Sequence, residues 1–198
     1  MLYLRNTNQL QTLGQEIVRG TSVTPPEPPV TGSYFDGLGR TQYKPAFGGQ
    51  GAPAFTPSAF TGSAFVSGST VVDSGSLQPT FILANDTGSA QWLGYFKPST
   101  TETYSFFLFL DDAAYWWVGN AATASLPTTA SALLAVTTSG TSATGSISLT
   151  SGSYVPVRIQ YTGVAPFDYF TASFSTPTIT KTTDFTNYTF CNTSSLGF

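Results

Sequence analysis

From Gly32 onward the apolar residues alternate along the chain and do not recur at helical spacing. In TYSFFLFLDD, residues 103–112, Tyr104, Phe106, Leu108 and Leu110 share one face while Phe107 and Phe109 fall on the other. Period two predicts a strand, and apolar groups on both faces predict one covered on both sides. In YVPVRIQY, residues 154–161, Val155, Val157, Ile159 and Tyr161 point one way, and Pro156, Arg158 and Gln160 the other. In YFTASFS, residues 169–175, Phe170, Ala172 and Phe174 alternate with Tyr169, Thr171, Ser173 and Ser175. These two strands are expected to have one inward and one solvated side, as a sandwich requires. Ser/Thr/Gly turns, such as Thr138–Thr141 and Thr150–Ser153, separate the segments. No stretch after residue 30 carries a helical period, so the expected fold is all-β: an antiparallel β-sandwich with a short N-terminal arm.

The arm is residues 1–30. Leu10, Leu13, Ile17 and Val18 have roughly helical spacing, with Asn6 or Thr7 available as a cap and Gly14 against it. TPPEPPV, Thr24 to Val30, follows as an extended, semi-rigid spacer. Two readings stay open, a partner-docking arm and a frayed terminus. Residues 31–198 form the sandwich. Within it, 44–79 are loop-heavy, and Phe47, Phe55, Phe60 and Phe65 are expected to pin that stretch onto the sheets.

Composition narrows the function. Of 198 residues, 15% are aromatic and only 9% charged, with a net charge of -3, against a usual charged share of roughly 25%. The surface must therefore be covered by hydroxyls, amides and glycine, which suits a fixed assembly or an adhesive surface. The seven Lys and Arg are scattered, which excludes a phosphate-neutralising patch and hence nucleic acid. No apolar run approaches roughly 18 residues, so membrane insertion is not expected. Cys191 is the single cysteine and permits no internal disulfide. The opening MLYLRNTNQLQTLGQE lacks the features of a signal peptide, and together these predict folding in a reducing cytoplasm. On that reading the sequons at Asn85, Asn187 and Asn192 are incidental. The chain has no His, the commonest general base and metal ligand. Asp111 and Asp112 are neighbours on one loop, which is poor geometry for the opposed carboxylates of a glycosidase. No enzyme is expected.

One long piece, WLGYFKPSTTETYSFFLFLDDAAYWWVGN, resembles the middle of the protective-antigen-type (PA14) β-sandwich and its GLEYA relatives. The shared features are Trp92-Leu93-Gly94, Pro98, the aromatic strand from Tyr104, the Asp111-Asp112 pair and the strand ending Trp117-Val118-Gly119-Asn120. Downstream, YVPVRIQYTG and YFTASFS are similar to the family's late hairpin, and GSYFDG, residues 32–37, to its opening strand. The resemblance covers roughly residues 32–177 and implies a carbohydrate-binding or adhesive sandwich of the kind found in toxins, glycosidase insertions, yeast adhesins and virion proteins. In lectin-active members the adjacent aspartates bind Ca²⁺, which grips sugar hydroxyls. Two neighbouring carboxylates suit an ion that takes six to eight oxygens. Ala113-Ala114 stand where glycine is common in the family, and Asp168 is the nearby third carboxylate candidate, with Asn120 a weaker oxygen donor. The competing reading has Asp111 and Asp112 holding a turn by accepting backbone N–H bonds. Trp116 and Trp117, like Trp92, are candidates for stacking on sugar rings or for the core.

Two functions follow. The first is a structural protein of a large assembly, a phage virion component (capsid decoration, tail or spike). It would be made in host cytoplasm, anchored to other virion proteins by its arm, and form homo-oligomers. The second is a Ca²⁺-dependent lectin or adhesin, with Asp111, Asp112 and Asp168 holding the ion and glycans as partners. The first needs no cofactor.

Overall fold

A computed structural model of the chain describes residues 34–36, 38–43, 57–61, 71–73, 76–77, 87–164, 166, 169–186 and 188–191. The arm residues Leu10, Leu13, Ile17 and Val18 lie outside them, as do Asp168, Phe47, Phe55 and Phe65. The described residues form these strands in chain order: β1 (Tyr34–Asp36), β2 (Leu38–Tyr43), β3 (Val71–Asp73), β4 (Gly88–Phe96), β5 (Glu102–Leu110), β6 (Ala113–Val118), β7 (Leu134–Val136), β8 (Thr141–Leu149), β9 (Val155–Gly163), β10 (Phe170–Ser175) and β11 (Tyr188–Cys191). They make two antiparallel sheets. The larger, with eight strands, runs β1-β11-β4-β9-β6-β7, with β2 and β3 branching from β4, and the smaller is β10-β5-β8. The only α-helix among the described residues is one turn, α1 (Asn120–Thr123).

The core lies between the sheets, where the alternation placed it. Tyr104, Phe106, Leu108 and Leu110 of β5 face Trp92 and Phe96 of β4, Trp116 of β6, and Val157, Ile159 and Tyr161 of β9, all buried in one cluster with Phe170 and Phe174 of β10. Aromatic edges meet aromatic faces here. Phe96 lies 5.3 Å from Tyr104, 5.6 Å from Phe106 and 5.4 Å from Phe174, with planes 69–79° apart, the edge-to-face geometry that ring quadrupoles favour.

Three expectations are corrected. First, β9 is buried along its whole length, so Arg158 and Gln160 are not solvated. A second apolar layer covers the outer face of the large sheet, built from Tyr43, Phe60, Tyr115 and Trp117 with Ala113 and Ala122. Phe60 sits on a short 3-10 turn, Pro57–Thr61, and its ring meets Tyr43 edge-on at 5.2 Å. The Gln160 amide nitrogen donates to Gln91 Oε1 at 2.7 Å and to the Pro57 carbonyl at 3.4 Å, giving the buried NH2 group its partners. Second, the outer face of β5 is only partly covered by the described residues: Phe109 is 49% exposed, while Phe107 lies half-buried under Lys181. Third, β9 and β10 are not a hairpin, because they lie in different sheets.

Two local constraints can be tested. Gly145 of β8 sits under the Leu133–Leu134 backbone, where an added Cβ would lie 2.5 Å from the Leu133 carbonyl oxygen. Gly145→Ala is expected to cost about 1–3 kcal/mol by forcing backbone apart, while Ser146→Ala beside it, on the exposed side, stays within about 0.5 kcal/mol. Urea denaturation of both variants checks this. Burial in the outer layer pushes the Tyr43 phenol from an ordinary 10.0 up to about 12, with the positive charge of Arg158 opposing part of the rise. The folded protein thus holds this proton more tightly than the unfolded chain does. The stabilisation is complete below pH 10 and is lost as pH rises through about 12. Stability measured against pH should fall across that window, and Tyr43→Phe should flatten the fall.

Candidate functional site at the two-aspartate crossover

β5 ends at Leu110 in the small sheet and β6 begins at Ala113 in the large one. Asp111 and Asp112 therefore carry the chain from one sheet to the other in two residues. Asp112 takes φ 66°, the left-handed region that aspartate tolerates better than most side chains. Its side chain is buried, and Oδ2 accepts the N–H of Val164, just past β9, at 2.7 Å. The Asp111 N–H donates to the Tyr169 carbonyl, at the entry to β10, at 3.0 Å. Asp111 Oδ1 accepts the Asp112 N–H at 3.0 Å and a hydrogen bond from the Ser139 hydroxyl. Ser139 lies in the turn before β8, where Gly140 has φ 72°. The β7–β8 loop and both ends of the β9–β10 link thus converge on the two-aspartate crossover at one end of the sandwich.

Both readings of the pair have support in this geometry. Asp112 accepts a backbone N–H across the gap between strands, a charge-assisted bond and the stronger kind. Asp111 receives its two hydrogen bonds on Oδ1. Each carboxylate has a second oxygen, and that of Asp112 is fully enclosed. The donor chemistry of two adjacent carboxylates beside a hydroxyl suits Ca²⁺. Among the described residues, however, no group of three or more His, Cys, Asp or Glu comes together. The pair would supply charge and the first ligands, and further oxygens must come from elsewhere.

Of the other candidates, Trp116 and Trp117 are both completely buried. Trp116 faces the core with its ring 4.9 Å from Phe106. Trp117 belongs to the outer layer and donates from Nε1 to the Thr128 carbonyl at 2.9 Å. Neither presents a face to a sugar. Asn120 starts α1, at the far end of β6 from Asp112, about 20 Å away at 3.3 Å per strand residue. Sequence reasoning missed Ser139, Val164 and Tyr169. Two of these act through backbone atoms, which no residue pattern marks; Ser139 carried only the signal of a Ser-Gly turn.

Residues 89–176 match the family model of the GLEYA domain. Among solved structures, the A domain of epithelial adhesin 6 from Candida glabrata, in complex with Galb1-3GlcNAc, superposes with TM-score 0.61 at 16% identity, covering 83% of this chain and 90% of that one. The A domain of epithelial adhesin 9 from the same yeast, in complex with Galb1-4GlcNAc, gives TM-score 0.61 at 16% identity, over 88% of this chain and 97% of that one. A PA14 sugar-binding domain from an RTX adhesin gives 0.54 at 14%, over 79% and 99%. The sandwich is of the PA14/GLEYA type. No curated protein matches the chain in sequence.

The PA14/GLEYA match corrects one expectation outright. Placement in a virion, after synthesis in host cytoplasm, gives way because the matched model is the GLEYA domain and the similar folds are adhesin domains, which point away from a virion. None of these findings favours virion proteins as partners of the arm.

The crossover yields a stability prediction. Asp112→Ala removes the acceptor of the Val164 N–H and puts a Cβ-bearing residue without a polar group at φ 66°. The expected loss is about 2–4 kcal/mol. Asp112→Asn keeps an acceptor and tolerates the conformation, so it should lose clearly less. Thermal and urea unfolding of the two variants side by side is the check, and equal losses would show that the crossover does not depend on this oxygen.

Proposed function

We propose that this PA14/GLEYA-type domain is a non-enzymatic glycan-binding module of an adhesin, and that glycans dock at the Asp111-Asp112 end of the sandwich through a calcium ion. The observation that carries the reading is the crossover, where two adjacent carboxylates are gathered at one end of the fold by the β7–β8 loop and the β9–β10 link. The sugar-bound state of the similar adhesin domains supports it.

The chain's own part is orientation. The Ser139 hydroxyl and the Asp112 N–H set the rotamer of Asp111, and the Val164 N–H sets that of Asp112. Both carboxylates are thus fixed before any ligand arrives, which lowers the ordering cost of binding. Calcium, when bound, supplies positive charge and open positions for paired sugar hydroxyls. Asp168 remains a proposed third ligand in the same loop region.

The experiment is a glycan array probed with the full chain, with terminal galactosides included, in calcium and again in EDTA. Binding is expected in calcium and lost in EDTA. It should also be lost in the Asp111→Asn/Asp112→Asn double variant, and calcium should raise the melting temperature of the native chain only. A melting temperature indifferent to calcium, together with glycan binding that survives EDTA, would sink the calcium reading. A blank array would sink the glycan reading too.

A further inference from the structure

The outer face of the small sheet holds a groove of about 630 Å³, within the range of small-molecule sites. It is separate from the two-aspartate loop, and neither Asp111 nor Asp112 lines it. Its floor is β5, which is hydrogen-bonded on both sides, to β10 and β8. The floor can therefore offer side chains but no free main-chain ladder, which excludes an added peptide strand.

What it offers is specific. Phe109 is 49% exposed and is backed by Tyr169, with ring centroids 4.8 Å apart. Two positions along the same face, Phe107 carries the Lys181 ammonium 4.1 Å above its ring centroid. The strand spacing puts these two aromatic positions about 7 Å apart, the span of a pyranose ring and its exocyclic substituent. The flanking strands contribute exposed hydroxyls opposite each ring: Ser142 and Thr171 lie across from Phe109, and Thr144 from Phe107, while Ser173, also opposite Phe107, is buried. Lys181 is held in place because its neighbour Thr182 bridges to Phe174 of β10, with backbone bonds of 2.9 and 3.0 Å. Among the described residues no carboxylate lines the groove, and Asp184, close to Lys181 in sequence, accepts the Thr186 N–H at 3.0 Å.

An open ring face takes the C–H face of a sugar, rows of hydroxyls take its hydroxyls, and a fixed cation with no anion in the groove takes a carboxylate. We propose that this groove is a second, calcium-independent binding site, and that it takes an acidic saccharide. The sugar ring lies on Phe109 and its carboxylate meets Lys181. The site goes beyond the calcium-dependent reading and does not depend on it.

The test is calorimetric titration of the full chain with an oligogalacturonate and with a neutral galacto-oligosaccharide, in EDTA throughout. The acidic ligand is expected to bind more tightly than the neutral one. Phe109→Ala should weaken it roughly tenfold, the scale of losing one aromatic contact, and Lys181→Gln should abolish the preference for acid. The Asp111→Asn/Asp112→Asn variant should bind the oligogalacturonate as the native chain does. Both groove positions are exposed, so the variants should keep the native melting temperature; Thr144→Trp, which fills the groove from an exposed site, gives a second block. The proposal is overturned if the acidic ligand does not bind in EDTA. It is equally overturned if the groove variants bind as the native chain does.

Discussion

A chain that leaves one sheet and enters the other in two residues has to reverse its direction of packing almost at once, and a pair of aspartates performs that step here. The left-handed backbone of Asp112 turns the chain, and its carboxylate ties the turn to the end of β9. The N–H of Asp111 ties it to the entry of β10, and its carboxylate to the turn before β8. Each of those segments belongs to a strand that packs against β5 or β6. The same bonds that set the spacing of the sheets also collect the carboxylates into a cluster, so fold and site share one cause. Adjacent negative charges in a half-buried turn repel, and the surrounding N–H and O–H donors offset that repulsion.

Around that hinge the two sheets are treated unequally. The large sheet is covered twice, by the core on one side and by the Tyr43, Phe60 and Trp117 layer on the other. The small sheet is covered once. Its outer face is carpeted with hydroxyls that pair across strands, Ser105 with Ser146 at 2.9 Å and Thr103 with Ser148 at 3.2 Å. That is how a chain with so few charges still presents a wettable surface.

Much of this was legible in the sequence, and the reason is periodicity. The inward rows of β5, β9 and β10 fell where alternation put them, since a two-residue repeat fixes which side chains share a face. The PA14/GLEYA resemblance rested on the same strands. What alternation cannot reveal is whether the outer face of a strand has a third layer over it. Arg158 and Gln160 read as solvated, yet both are buried under the outer layer, Gln160 against Pro57 and Arg158 beside Tyr43, both distant in sequence; Phe107 and Phe109 read as covered, yet nothing among the described residues caps Phe109. Pairing partners were equally hidden, because β9 and β10 are close in sequence but the link of residues 164–169 lets the chain change sheets. The aspartate pair was visible as a loop, whereas its supports at Val164 and Tyr169 are main-chain atoms and carry no residue signature. The tryptophans, attractive as stacking platforms, are buried because the strand that bears two of them has apolar layers on both sides.

The burial of the tryptophans has an optical consequence. All three indoles are sealed from solvent, Trp92 and Trp116 in the core and Trp117 in the outer layer, so their emission belongs to the blue, quencher-protected class. Nothing that docks at either surface touches them. Intrinsic fluorescence is thus a sensitive reporter of unfolding in this protein and nearly blind to its ligands.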